Sequence, residues 1–187
     1  MKPAELLAIL GVAEKLKCCT RHCYTSTGRK ESVAEHSWRI ALMAMLIAPE
    51  FPEADMDKVI RMCLIHDLGE AFTGDIPTFD KTDADTARED ALFHSWIQTL
   101  PEETRKEFAD LLEEMNTLET QEAKIYKALD KMEAVIQHNE SDISTWLPLE
   151  YDLQLRYGEE NVQFSPWFRE LKVQINDRTR QKIEESK

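Results

Sequence analysis

Turn-forming residues are scarce in this chain: five glycines and seven prolines among 187 residues. That is too few for the many tight turns of a β-sandwich or barrel, and it favours long helices. Cysteines number four, three of them clustered as Cys18, Cys19 and Cys23, with Cys63 inside an apolar run. This is no disulfide framework, so reduced thiols are expected. A zinc grip by Cys19, His22 and Cys23 matches no standard ligand spacing. No run of five lysines or arginines occurs, and the net charge is −13. Such a chain repels nucleic-acid backbones and anionic membranes, which argues against a duplex nucleic-acid partner. The longest apolar run, Ile40 to Ala48, is far short of a membrane span. The N-terminal MKPAELLAILGVAEKL carries Glu5, lacks arginine-rich transit character and has no small-residue cleavage site, so a cytoplasmic protein is expected.

What is present suits a packed core: 42 % of residues are hydrophobic and 32 % charged, over a length typical of one domain spanning 1–187. No repeat, low-complexity tract or linker interrupts it. Apolar periodicity predicts a first helix from about Pro3 to Leu16, then a polar loop, Thr20 to Glu31. Ser32 and Glu35 form a capping box that opens a helix to about Ile47, ending before Pro49. Asp55 caps a third, from about Met56 to Phe72, apolar nearly all round between Val59 and Ile65 and therefore buried. Gly74 and Pro77 stop it. Further helices are expected at about 82–99, 102–115, 119–139 and 166–185, the last opened by Ser165-Pro166. The stretch 140–164 is ambiguous, and no segment alternates as a strand. The expected class is all-α, with about six or seven helices.

Two of the five histidines, His36 and His66, and nearby carboxylates are the candidates for chemistry. His36 shares a helical stripe with Val33, Ile40, Met43 and Ile47, so it faces the core, as a hydrogen-bonded structural histidine or as a ligand. His66-Asp67 directly follows the apolar run Val59–Ile65. A carboxylate there needs compensation, which a divalent cation, an arginine or a capping amide could supply. Glu70 lies four residues beyond His66. It is either a base for an attacking water beside a metal or a solvated helix-end residue. Asp75, in the glycine turn, is a second acid/base group or a turn residue. Arg21, Arg29 and Lys30 precede Ser32, as a phosphate-binding set or as surface charge.

The ordered set Ser32-Val33-Ala34-Glu35-His36-Ser37, His66-Asp67-x-x-Glu70, Gly74-Asp75-Ile76-Pro77-Thr78 and a later Asp130 resembles the HD-domain metal-dependent phosphohydrolases, and within them the bacterial 5′-deoxynucleotidase branch. The resemblance covers about Arg21 to Asp130. It implies a motif-bearing core at about 21–139 with a C-terminal helical extension at about 140–187, and three separate helices that supply His36, His66, Asp67 and Asp130 as metal ligands. It places Glu70 and Asp75 by the scissile phosphate, and Arg21 and Lys81 on the substrate. His22 stands where that branch has a tryptophan linked to deoxyribose selectivity. Ala71, in place of an aspartate, argues against guanosine-tetraphosphate hydrolysis. With only His94 between the doublet and Asp130, one divalent ion (Mn²⁺, Co²⁺ or Mg²⁺) is expected rather than two. The implied activity is hydrolysis of nucleoside 5′-monophosphates, deoxyribonucleotides first, by a homodimer. The alternatives are another small phosphate ester, or a non-catalytic helical binding domain stapled by its metal. On α-helical geometry Asp130 points nearly opposite the stripe Ile125, Leu129, Met132 and Ile136, sharing its side with Ala123, Tyr126 and Ala134. That helix must bury two faces if Asp130 is a ligand.

Overall fold

A computed structural model describes residues 1–186. Among these are eight α-helices of seven residues or more, a single-turn helix and a two-stranded hairpin. The chain is helical as expected, with more helices than six or seven. We number the elements α1 (Pro3–Ala13), β1 (Thr20–Tyr24), β2 (Lys30–Ser32), α2 (Val33–Ile47), α3 (Met56–Ile65), α4 (Glu70–Thr73), α5 (Asp83–Ile97), α6 (Glu102–Thr117), α7 (Gln121–Glu140), α8 (Glu150–Arg156) and α9 (Pro166–Glu185). The ambiguous stretch 140–164 holds α8 between two 3₁₀ turns.

Helices α2, α3 and α7 pack on one another at the centre, and α6 and α9 flank α7. Ile40, Val59, Met62, Ile125, Leu129, Met132 and Phe168 are buried completely there. The capping box forms as expected: Ser32 Oγ accepts from Glu35 N at 3.2 Å, and Ser32 N donates to Glu35 Oε2 at 2.9 Å. Such a cap contributes about 0.5–2 kcal/mol, and it fixes the rotation that turns Val33, His36 and Ile40 inward. Asp55 caps α3 through Lys58 N at 3.0 Å.

Two expectations fail for local reasons. The helix from Met56 does not run on to Phe72. After Ile65 the bonding shortens to i→i−3, with Leu68 N on Ile65 O at 3.1 Å and Glu70 N on Asp67 O at 3.0 Å. His66–Gly69 is therefore a tight turn between α3 and α4, so His66 and Asp67 do not sit on a helix proper. Nor is α3 buried all round, since Leu64 is 49 % exposed. Gly74, at φ +79°, ends α4 in a conformation open to glycine.

The second failure is the polar loop, which contains the hairpin. Thr20 pairs with Ser32 and Tyr24 with Lys30, so five residues of β1 span three of β2 and β1 bulges. Strand patterning is normally read from apolar residues facing a core. Here the buried positions of the hairpin include Cys23, Glu31 and Ser32, because the sheet covers a polar centre.

Candidate active site

Three pieces of backbone converge beneath this hairpin. His36 comes from α2, His66 and Asp67 from the turn after α3, and Asp130 from α7. His36 Nε2 lies 3.4 Å from Asp130 Oδ1 and 3.9 Å from Asp67 Oδ2. His66 Nε2 lies 2.9 Å from Asp67 Oδ2 and 3.9 Å from Asp130 Oδ1. Asp130 is buried although it opposes the apolar stripe, because α7 buries both faces: Ala123, Tyr126, Glu133 and Gln137 are buried beside it.

The imidazoles are aimed from behind. His36 Nδ1 bonds Glu133, and His66 Nδ1 bonds the Cys63 carbonyl at 2.9 Å. A carbonyl can only accept, so His66 carries a proton on Nδ1, and Nε2 is the nitrogen turned inward. Both Nε2 atoms are buried without a hydrogen-bond partner. Two orphaned imidazole nitrogens facing two carboxylates form a donor set suited to a divalent cation. This is the observation by which the residues fit the metal that the HD resemblance implies.

Charge around the set is steep. Burial and Arg21 oppose the His36 imidazolium, yet Glu133 and Asp130 outweigh them and raise the group to about 9. Asp130 stays well below the usual carboxylate range despite burial, since Lys127 and Lys131 face it, with Lys127 Nζ 2.9 Å from Oδ2. Burial, reinforced by Asp67, Asp75 and Glu89, pushes Glu70 up to about 10. Glu70 Oε2 is itself buried without a partner. Burial also raises Asp75, although Arg21 and Lys81 draw it down.

An open cleft adjoins this centre. Arg21 and His22 from β1, Asp75 and Phe79 from the turn beyond α4, and His138 from α7 line it. Arg21 is held 3.7 Å from Glu31 and 4.0 Å from Glu133, and its Nη1 is buried without a hydrogen-bond partner. Lys81 does not line the cleft; it pairs with Glu89 at 2.7 Å. The cationic set before Ser32 is split, because Arg29 pairs with Glu35 on the surface while Arg21 turns inward. Nor do Cys19, His22 and Cys23 converge. The Cys19 sulfur accepts from Asp75 N, Cys23 donates to Glu31, and His22 faces Glu150. All four thiols are free. His94 is exposed and bonded to the Asp90 carbonyl, away from the centre.

Sequence reasoning missed Glu133, Glu31, His138 and Glu150. Glu133 was findable: it follows Asp130 by three residues, hence on the same side of α7, and an inward histidine needs a partner for its second nitrogen. Glu133→Gln, which keeps the shape of the side chain but lowers the basicity it lends to His36, is expected to weaken binding of the first divalent ion about 10–100-fold. Titration of the metal-stripped protein by calorimetry measures this.

The family model described as "HD domain" matches residues 13–172. A human protein named 5′-deoxynucleotidase HDDC2 is 36 % identical over 140 residues, covering 73 % of this chain and 68 % of that protein. The Dictyostelium discoideum protein of the same name is 31 % identical over 176 residues, covering 88 % of this chain and 87 % of that one. The crystal structure of a "predicted metal-dependent phosphohydrolase" from Magnetospirillum magnetotacticum superposes with a TM-score of 0.80 at 26 % identity, covering 97 % of this chain and 95 % of the other.

Proposed function

The chain belongs to the HD domain family, and from that premise we propose that it is a metal-dependent phosphohydrolase that cleaves nucleoside 5′-monophosphates, deoxyribonucleotides first, to nucleoside and phosphate. The observation that carries this reading is the pair of orphaned imidazole nitrogens aimed at Asp67 and Asp130 beside a cleft lined by a buried arginine. The names of the human and Dictyostelium relatives point to the substrate class.

His36, His66, Asp67 and Asp130 would hold the cation, which when bound supplies Lewis-acid polarisation and a water of lowered pKa. Arg21 binds the phosphate: its guanidinium is fixed by Glu31 and Glu133, and its unpartnered Nη1 is the donor left for a phosphate oxygen. Glu70 orients the attacking water and takes its proton. As the new P–O bond forms, the bond from phosphorus to the 5′ oxygen breaks, and that oxygen needs a proton. Asp75, whose carboxyl is raised by burial, gives it. Lys81 acts on the substrate only after release from Glu89, and His22 meets the nucleoside side of the cleft.

The same reading takes 1–187 as one domain, with a motif-bearing core at about 21–139 and the remainder as its helical extension. It takes the assembly as a homodimer, and the four free thiols favour the cytoplasm. Among the described residues, no helix is long and apolar enough to cross a membrane. The ion is Mn²⁺, Co²⁺ or Mg²⁺, all compatible with mixed nitrogen and oxygen ligands. Phosphate release from a panel of ribo- and deoxyribonucleoside 5′-monophosphates, with stripped protein resupplied with each ion, tests the proposal. Metal-dependent release that favours deoxyribonucleotides is expected; no release from any of them would overturn it.

A further inference from the structure

A second group of ligating side chains meets in the cleft, apart from the HD set. His22 comes from β1, His138 from the last turn of α7 and Glu150 from the first residue of α8. Their donor atoms lie within 4.8 Å of one another. Glu150 Oε1 is 2.9 Å from His138 Nε2 and 3.3 Å from His22 Nε2. Those spacings match the 2.9 and 3.4 Å that separate nitrogen from oxygen in the HD set.

The hydrogen bonds behind the group are those of a ligand set. His138 Nδ1 bonds the Ala134 carbonyl at 2.9 Å, as His66 Nδ1 bonds that of Cys63. The carbonyl accepts only, so Nδ1 carries a proton and Nε2 is the nitrogen turned to the carboxylate. Nε2 is within hydrogen-bond distance of Glu150 Oε1; in the metal-free protein a proton on Nε2 bridges the two, and a divalent cation would take that proton's place. Glu150 is fixed too: its Oε2 accepts from Leu147 N at 2.7 Å, and its side chain is 1 % exposed. His22 and His138 are 24 % and 13 % exposed and line the cleft.

We propose that His22, His138 and Glu150 form a second divalent-cation site in the cleft wall, of the His₂-carboxylate type that suits Zn²⁺ or Co²⁺ and leaves a coordination position open. It is distinct from the HD site. His138 follows Asp130 by eight residues on one helix, about 12 Å along its axis, whereas two ions that clamp one phosphoryl group sit roughly 3.5–4 Å apart. The single ion expected from the sequence concerned histidines between His66 and Asp130; His22 and His138 lie outside that interval. The site does not depend on the hydrolytic reading.

Co²⁺ binding to the stripped full-length protein tests it, with the bound ion counted by elemental analysis after dialysis and followed by its visible absorption. The wild type is expected to bind two equivalents. Asp67→Asn should retain one, and Glu150→Gln and His22→Ala should each lose the other. His22→Ala, on a partly exposed strand position, guards against a folding defect in the Glu150 variant, and circular dichroism checks both. One equivalent in the wild type, lost in Asp67→Asn, would mean that His138 and Glu150 are a simple imidazolium–carboxylate pair, and the second site would be overturned while the HD site stood. Two equivalents retained in His22→Ala and Glu150→Gln would overturn it equally. One equivalent kept by Asp67→Asn but lost in Glu150→Gln would support the second site and remove the HD set as a cation site.

Discussion

Asp67→Asn is expected to abolish metal-dependent phosphate release, by about a thousandfold or more. The cation's stabilisation of a phosphoryl transition state is worth several kcal/mol, and each 1.36 kcal/mol is about tenfold in rate. The substitution keeps the shape of the side chain, so the turn His66–Gly69 survives while one anionic ligand is lost. Burial and Asp130 oppose ionisation of Asp67, yet the imidazoles of His66 and His36 hold its carboxyl well below the usual range. A lowered carboxyl contributes stability above its ordinary value of 3.8, and loses it as pH falls towards the folded value. The stripped variant should therefore melt somewhat below stripped wild type at neutral pH and at the same temperature in strong acid. A cation in hundredfold excess over its Kd stabilises by about 2.7 kcal/mol. For a domain this long that is worth several degrees of Tm, and the variant should lose that share of the metal-induced rise. Release retained in Asp67→Asn would show that the HD set does not host the reaction.

Much of the scaffold around this aspartate was legible in the sequence because its signals are local. Ser32 and Glu35 satisfy backbone donors within one turn, so the start and rotation of α2, and with it the inward His36, could be read from six residues. Asp55 and Ser165-Pro166 marked α3 and α9 in the same way. The sequence misled where tertiary contacts override local pattern. An apolar run carried the expected third helix through His66–Gly69, but there the backbone tightens to i→i−3 bonds and places two candidate ligands in a turn. The hairpin hid because it shields charge: Glu31 is buried against Arg21 and Cys23, and no apolar alternation signals such a strand. Asp130 opposes the apolar stripe of α7, so periodicity pointed away from it and only the motif resemblance selected it. Its buried environment depends on Lys127, Lys131 and His36 together. His138 and Glu150 meet His22 only through the path of α8 across the cleft, a contact that no spacing within the sequence encodes.

Glu70→Gln is expected to lower kcat by about 10²–10⁴, the usual range for loss of a general base, with KM and metal content little changed. Gln can still hydrogen-bond to a water but cannot accept its proton, so the loss should fall on the chemical step. The environment makes the role specific. Burial first, then Asp67, Asp75 and Glu89, push the Glu70 carboxyl up to about 10, against the pull of Arg21. A cation held by the HD set would oppose the repulsion from Asp67 and draw the group towards the ionised form that a base requires. The stripped protein displays the same physics as stability. Folded Glu70 keeps its proton up to about 10, whereas the unfolded chain releases it near 4.5. Between those values the folded state binds more protons, so its stability falls as pH rises, at up to about 1.36 kcal/mol per pH unit for this one group. Glu70→Gln removes that contribution, and denaturant melts of the stripped proteins from pH 5 to 9 should give a flatter profile for the variant. An unchanged kcat would sink the role as base, and an unchanged slope would mean that Glu70 is not held protonated. Lower activity with a flatter slope follows only if one buried carboxyl strains the empty site and serves the loaded one.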